Sequence, residues 1–191
     1  MAILKIARMG HPILRRVADT VPVKDIQKPQ IQTLIDDMLD TVRDEQGAGL
    51  AAPQVHNSTR IVVLLLDDES DFDVWINPEI TALTDTTAVT FEGCLSVPGL
   101  RGAVARPDKI RVRGFYRNGT AFDRILDGFS AIVAQHECDH LNGVLYIDRA
   151  DPASLAFLDE HHRFSHLLYE EDISLIEEEP SGTIDLQSQE Q

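Results

Sequence analysis

The sequence has no run of about 18 or more consecutive apolar residues, the length that a membrane-spanning helix requires. It has only two cysteines, Cys94 and Cys138, and no signal-peptide pattern. A disulfide is unusual in that setting, so both thiols are expected to be reduced. Positive charge is also scarce, since 17 Lys and Arg oppose 32 Asp and Glu and leave a net charge of −15. A chain this acidic lacks the basic face that general binding to DNA or RNA needs.

The composition indicates one globular domain followed by a tail. The sequence has 191 residues, of which 43% are hydrophobic, enough to bury a core of its own. Residues 170–191 stand apart because they contain eight acids and neither Lys nor Arg. We therefore predict a domain over 1–169 and a disordered, solvated acidic tail over 170–191.

Hydrophobic periodicity predicts three helices. Apolar residues recur at helical spacing over 29–46 and again over 127–141, where Asn142-Gly143 supplies the stop. A third helix is expected to begin at Asp151-Pro152, an N-cap acid with proline at the first helical position, and to reach about residue 169.

Short apolar runs predict the strands, which lie at 60–66, 74–77, 87–92, 109–116 and 120–126. Asn118-Gly119 between the last two runs indicates a hairpin, whereas 47–54 and Pro98-Gly99 are expected to be a loop and a turn. Helices segregated among antiparallel strands predict an α+β fold.

Residues 135–143, QHECDHLNG, carry the clearest chemical signal. His136 and His140 are four residues apart, so a helix places both on one face, the arrangement needed to hold one ion. Glu137 is adjacent and can reach a bound water without being a ligand. The apolar stripe of this helix runs directly into the two histidines, so both imidazoles are expected to point toward the interior.

Two histidines do not complete a metal site, and the cysteines are the candidates for a third ligand. Cys138 lies inside the motif but points about 200° away from His136, so it is expected to be a packed thiol. Cys94, in FEGCLSVPGLRG (91–102), remains, with a buried hydrophobic role as the alternative.

Three segments, GAGLAAPQ (47–54), EGCLS (92–96) and QHECDH (135–140), together closely resemble the peptide deformylase family. The resemblance extends over nearly the whole chain, from MGHPILRRVA at 9–18 to the helix after residue 150. It implies an α+β fold in which antiparallel or mixed β-sheets surround a central helix that carries HExxH, with a C-terminal helix. It also implies that Cys94, His136 and His140 bind the metal and that Glu137 is the general acid and base.

The resemblance further implies an activity: removal of the N-formyl group from formylmethionine at the start of nascent polypeptides, with release of formate. A metal and Glu137 would activate water, while the Gln54 amide and the Leu95 N–H would hold the oxyanion. One divalent ion is implied, with Fe²⁺ native and Zn²⁺, Ni²⁺ or Co²⁺ able to occupy the same ligands. In some relatives the C-terminal helix helps the enzyme meet the ribosome, but ribosomal RNA would repel the acidic tail of this chain, so docking through the tail is not expected. The bacterial-type cytoplasm is the expected location, ahead of an organelle after import.

The candidate substrate contacts are of two kinds. By resemblance, the backbone of Ala48, Gly49 and Gly93 holds the substrate peptide in extended form. Ile132 and Val133 lie on the helix face beside His136 and are candidates for an apolar methionine pocket, with a plain core role as the alternative. Arg101 is expected to meet the peptide backbone or to pair with Glu92, or else to be solvated.

Two other functions compete with this interpretation. HExxH also occurs in zinc endopeptidases, in which Glu160 could serve as a downstream glutamate ligand, but that assignment leaves EGCLS and GAGLAAPQ unexplained. The other is a metal or peptide binder without activity, which the presence of every catalytic-type residue argues against.

Overall fold

The computed structural model describes residues 2–66 and 71–174, with side chains as far as His166. Within those residues the helices are α1 (Pro29–Asp44), α2 (Gly128–Leu141) and α3 (Leu158–Ser174). The strands are β1 (Gly49–Ala51), β2 (Ile61–Leu64), β3 (Asp73–Ala82), β4 (Thr87–Cys94), β5 (Val97–Pro107), β6 (Lys109–Tyr116), β7 (Ala121–Asp127) and β8 (Ala156–Phe157).

The strands form two antiparallel sheets. The larger has the order β1-β2-β3-β6-β7 and the smaller β4-β5-β8. In the smaller sheet, β4 and β5 form a long hairpin in which Cys94 pairs with Val97, so Leu95 and Ser96 make the chain reversal. The predicted α+β fold is confirmed.

Strand β2 lies at the centre of the core and is buried along its whole length. Because successive side chains alternate across a strand, Val62 and Leu64 pack with α2 residues such as Ala134, whereas Ile61 and Val63 pack with α1 residues such as Ile35. The larger sheet is therefore sandwiched between α1 and α2. Helix α2 carries the HExxH residues and packs on this sheet, as the family resemblance implied.

Several predicted elements are found where the periodicity placed them. Helices α1 and α2 and strands β2, β4, β6 and β7 agree to within a few residues, and β3 continues beyond the predicted 74–77. The hairpin at Asn118-Gly119 is present, with Gly119 at a φ of 82°. Gly143, just beyond α2, has a φ of 74°. A Cβ there would lie 2.8 Å from the backbone carbonyl carbon of Arg15, so glycine also permits a close approach of the N-terminal segment.

Three local predictions are wrong. The expected loop at 47–54 contains β1 and a 3-10 turn over Ala52–Val55. Pro98 and Gly99 lie within β5, and the turn comes earlier, at Leu95-Ser96. Asp151 does cap a helical turn, since its side chain accepts a hydrogen bond from the Ala153 N–H, but that turn is a 3-10 helix of three residues. The chain then extends into β8, and α3 begins only at Leu158.

Most of the predicted acidic tail lies outside the described residues. Residues 170–174 continue α3, and 175–191 are not described. Among the described helices, none combines the length and the apolar character that crossing a bilayer demands.

Candidate functional site

A cleft of about 1170 Å³ lies between α2, the start of β1 and the β4–β5 hairpin. Helix α2 contributes His136 and Glu137, and the hairpin contributes Cys94 and Leu95. Ala48, Gly49 and Gln54 line another part of the wall. The three segments that carry the family resemblance thus meet in one cavity, although up to 93 positions separate them along the chain.

Cys94, His136 and His140 form the one group of three or more potential metal-ligating side chains found among the described residues. Their ligand atoms all lie within 4.8 Å of one another, and Cys94 Sγ is 3.3 Å from His140 Nε2. Tetrahedral coordination with ordinary bond lengths places sulfur and nitrogen ligands about 3.4–3.6 Å apart. These three side chains therefore fit a single ion, and three protein ligands leave a fourth vertex for water or substrate.

The electrostatics of the two imidazoles differ. Burial lowers the pKa of His136, but its hydrogen bonds with Cys94 and Glu92 and the charge of Glu137 more than offset this effect and raise the pKa to about 10. Burial, followed by the charge of His136, lowers the pKa of His140. A proton on His136 has to leave when a metal binds, so metal binding at this site releases a proton.

Glu137 is 4% exposed and lies against Gly49. A Cβ at position 49 would be 2.5 Å from Glu137 Oε1 and 2.7 Å from Cγ, so only glycine leaves room for this carboxylate. Its Oε2 atom is buried and has no hydrogen-bond partner among the described residues. Burial raises the pKa of Glu137 to about 7, which suits a group that takes up and returns a proton near neutrality.

The Gln54 side chain is 1% exposed and has a fixed orientation. Its Oε1 accepts a hydrogen bond from the Ala51 N–H at 2.8 Å, and its Nε2 lies 3.4 Å from Cys94 Sγ and 3.2 Å from Ser96 Oγ. A backbone N–H can only donate, so the amide oxygen faces Ala51 and the amide NH₂ faces the ligand sulfur. A donor is thus aimed at the site, as the oxyanion role of Gln54 requires.

The six predicted substrate-contacting residues all line the cleft, namely Ala48, Gly49, Gly93, Arg101, Ile132 and Val133. Ile132 and Val133 are largely buried, and Val133 also belongs to the core cluster around β2, so it serves the core as well as the wall. Sequence reasoning missed Phe129, which is 59% exposed at the cleft, one helical turn before Ile132. The apolar stripe of α2 already contained Phe129 and could have indicated it.

The expected alternative pairing of Arg101 with Glu92 is wrong. Glu92 is instead bound by Arg106 and His136. The Arg101 guanidinium packs over Gly93, where an added Cβ would lie 2.7 Å from its Cζ.

The two side chains considered as other ligands lie elsewhere. Cys138 is buried in the core, and burial raises the pKa of its thiol, in agreement with a packing role. Glu160 lies on α3, where its side chain is 49% exposed and its Oε1 atom is 3.6 Å from Arg163 Nη1. It is not part of the metal-ligating group, so the third ligand of the endopeptidase alternative is absent from the cluster described here.

Comparison with known proteins gives consistent matches. The family model for polypeptide deformylase matches residues 3–155. The peptide deformylase of Leptospira biflexa is 43% identical over 164 residues, covering 81% of this chain and 92% of that protein. That of Pseudomonas aeruginosa is 46% identical over 149 residues, covering 78% and 87%. A class I type b peptide deformylase from Acinetobacter baumannii, solved with Met-Ala-Ser bound, superimposes with a TM-score of 0.73 at 33% identity, covering 78% of this chain and all of that one.

Proposed function

The chain belongs to the polypeptide deformylase family, and on that premise we propose that it removes the N-formyl group from the formylmethionine of newly made polypeptides. The observation that carries the proposal is the convergence of Cys94, His136 and His140 beside a buried carboxylate, Glu137, and an aimed amide donor, Gln54. These groups are the ones that hydrolysis of an amide requires: a metal site, a proton carrier and an oxyanion donor.

Cys94, His136 and His140 would hold one divalent ion. When bound, the ion supplies Lewis acidity and makes water a better nucleophile near neutral pH. We propose Fe²⁺ as the native ion, with Zn²⁺, Ni²⁺ or Co²⁺ able to take its place, because sites of cysteine and histidine do not select among these ions by affinity alone.

The protein's own groups account for the remaining steps. Glu137 accepts a proton from the attacking water as the new carbon–oxygen bond forms at the formyl carbon. The Gln54 Nε2 and the Leu95 N–H donate to the oxygen that becomes negative, a contribution of about 3–4 kcal/mol per donor in comparable enzymes. The carbon–nitrogen bond then breaks, Glu137 gives its proton to the departing amine, and formate and a free methionyl N-terminus result.

The residues that line the cleft would determine which amide bond of a substrate reaches Glu137 and the metal site. The backbone of Ala48, Gly49 and Gly93 would hold the first residues of the substrate in an extended conformation. The apolar side chains of Ile132 and Val133 would receive the methionine side chain, and Arg101, at the rim, would meet the following peptide backbone.

The substrate defines where the enzyme acts. Formylmethionine is exposed as a chain leaves the ribosome, so the enzyme would meet its substrate near that particle, in a bacterial-type cytoplasm. We propose that residues 170–191 form a solvated extension rather than a ribosome anchor, because their eight acids would be repelled by RNA phosphates.

The decisive experiment is formate release from formyl-Met-Ala-Ser under anaerobic conditions, with bound metal quantified. We expect turnover by the metal-loaded protein, loss of turnover with retained metal in Glu137→Gln, and loss of metal in Cys94→Ser. Glu160→Gln is the matched control and should behave as wild type. Cleavage of an unformylated internal peptide bond, with metal retained in Cys94→Ser, would favour an endopeptidase instead, and absence of turnover from the loaded protein would favour a binder.

A further inference from the structure

We propose that Glu92 and Arg106 are positioning residues for metal binding, because together they hold His136 with its Nε2 atom toward Cys94 and His140. The proposal rests on the ligand role assigned above to those three side chains. It concerns a charged network on the side of His136 that faces away from the ligand cluster.

Glu92 is the direct contact. Its Oε2 atom lies 2.8 Å from His136 Nδ1, and its side chain is 5% exposed. The ring of Tyr146 stacks on His136 at a centroid distance of 6.1 Å and an interplanar angle of 22°. One edge and one face of the imidazole are therefore fixed by neighbours that are not metal ligands.

Arg106 fixes Glu92 in turn. Its Nε and Nη2 atoms bind the two Glu92 oxygens at 2.5 and 2.9 Å, and its Nη1 binds Asp139 Oδ2 at 2.8 Å. Asp139 also receives two hydrogen bonds from Arg149, both of 2.7 Å. Arg106 is only 2% exposed, so its guanidinium is held rigidly between two carboxylates.

The chemistry of the donors then determines the tautomer of His136. A guanidinium has donors only, so both oxygens of Glu92 face it as acceptors. The Glu92 oxygen that meets His136 Nδ1 must likewise accept, so Nδ1 keeps its hydrogen. The proton that leaves when a metal binds is therefore the one on Nε2, and Nε2 then presents the lone pair. Hydrogen bonding of this kind from a carboxylate orients ligating histidines and raises their basicity.

Stability alone is a poor reason for this arrangement. Taking two or three charges out of water costs several kcal/mol, and well-packed apolar side chains of similar volume often replace such groups without loss of stability. His140 offers a contrast, because its Nδ1 atom is buried without a hydrogen-bond partner in the described part of the chain. The network therefore acts on one of the two imidazoles, His136.

The test measures the affinity of the metal-free full-length protein for Co²⁺, in competition with a chelator, together with the absorption spectrum of the cobalt form. Glu92→Gln keeps the shape of the side chain but replaces one acceptor oxygen by an NH₂ group. It therefore cannot accept hydrogen bonds from both Arg106 nitrogens and from His136 Nδ1 as the carboxylate does. We expect it to weaken Co²⁺ binding by about 10–100-fold and to change the cobalt spectrum. Asp123→Asn is the matched control, since Asp123 also accepts two hydrogen bonds from one arginine, Arg111, but is exposed and is not one of the residues that line the cleft. It should leave the affinity unchanged.

A double-mutant cycle separates positioning from a general effect on folding. If Glu92 acts through His136, Glu92→Gln should weaken Co²⁺ binding no further in a His136→Ala background. Equal losses in both backgrounds, or a lower Tm with unchanged affinity and spectrum, would overturn the proposal.

Arg106→Lys provides the second variant should Glu92→Gln fold poorly. It keeps the positive charge but loses the two-point contact with Glu92, so it should also weaken Co²⁺ binding, and unchanged affinity would count against us. Failure of the wild-type protein to bind Co²⁺ would overturn the metal centre itself, whereas unchanged Co²⁺ affinity in the variants, beside normal binding by the wild type, would overturn only this link.

Discussion

Replacing Gly49 by alanine should disable Glu137 without disturbing the metal. A Cβ at position 49 would lie 2.5 Å from Glu137 Oε1 and 2.7 Å from both Cδ and Cγ, whereas an ordinary contact is 3.4–4 Å. The carboxylate must therefore retreat by about 0.9 Å, and because Cγ also collides, rotating the carboxylate alone does not relieve the contact. The φ of Gly49 is not positive, so alanine introduces no backbone strain and the experiment isolates the side-chain collision.

The size of the effect follows from that displacement. A misplacement of about 1 Å in a catalytic group typically costs about 10²-fold in rate, or about 2.7 kcal/mol of transition-state stabilisation. We expect Gly49→Ala to lower kcat by this factor in the formate-release assay, with wild-type metal content. Gly47→Ala is the control from the same segment, since its new Cβ would meet side-chain carbons of Leu95 and Val42 at 3.2 Å and the Gly49 carbonyl oxygen at 3.4 Å, but no atom of Glu137 within that distance. It should change kcat by no more than about threefold.

Two outcomes would refute the reasoning. Wild-type kcat in Gly49→Ala would mean that Glu137 does not need its observed position. A loss confined to KM would mean that Gly49 matters through its backbone contact with the peptide and not through Glu137. In a Glu137→Ala background the Gly49 substitution should cost nothing more, because the group that it displaces is gone.

Three further predictions concern the same cleft. Glu137 must be ionised to accept a proton, and burial raises its pKa to about 7, so kcat/KM should fall as the pH decreases through this pKa. A bound cation favours the ionised carboxylate and should move this acidic limb of the pH–rate profile below pH 7. The assignment would be contradicted if the residual activity of Glu137→Gln showed the same limb. Gln54→Ala should lower kcat by about 10²–10³-fold with little change in KM, measured by steady-state kinetics, and a change in KM alone would argue against an oxyanion role. A thiolate would give the metal more electron density than a third histidine and so weaken its Lewis acidity, which we propose suits an unhindered formyl group better than an internal peptide bond. Cys94→Asp and Cys94→His should then release formate more slowly at full metal loading, and a full rate in either would refute the hypothesis.

Local sequence signals predicted the elements whose formation is itself local. The apolar stripe of α2 runs into His136 and His140, and Asn118-Gly119 marks a hairpin, because helical spacing and turn chemistry act over a few residues. Strand β5 was missed because Pro98, Gly99 and Gly102 disfavour a strand; it forms by pairing with β4 and by burying Val104. In the same way the cap at Asp151 is real, but pairing of β8 with β5 pulls the following residues out of a helix.

In the candidate site, too, local sequence patterns predicted only the features that depend on a few neighbouring residues. The spacing of HExxH is local and was predicted from residues 136–140 alone. The proximity of Cys94 to His140 depends on the β4–β5 hairpin meeting α2, which the family resemblance implied but no local pattern could show. Arg106 had no signal, since it is one of 17 Lys and Arg and lies 33 positions from its partner Asp139. Only the packed structure distinguishes a buried guanidinium from a solvated one.

The geometry of α2 explains why five consecutive residues, HECDH, face four different surroundings. Each residue is rotated by about 100° from the one before it, so when His136 and His140 face Cys94, Glu137 turns toward Gly49 and Asp139 turns the other way, toward Arg106. Cys138 is left facing the core, where a small thiol packs well. The two positions of HExxH that chemistry leaves free are therefore constrained here by packing and by the charged network. Since α2 is seated on the sheet by Ala131, Ala134 and Leu141, a shift of this helix would move His136, Glu137 and His140 together. Their distances to Cys94, Glu92 and Arg106, which lie on β4 and β5, would then change at once.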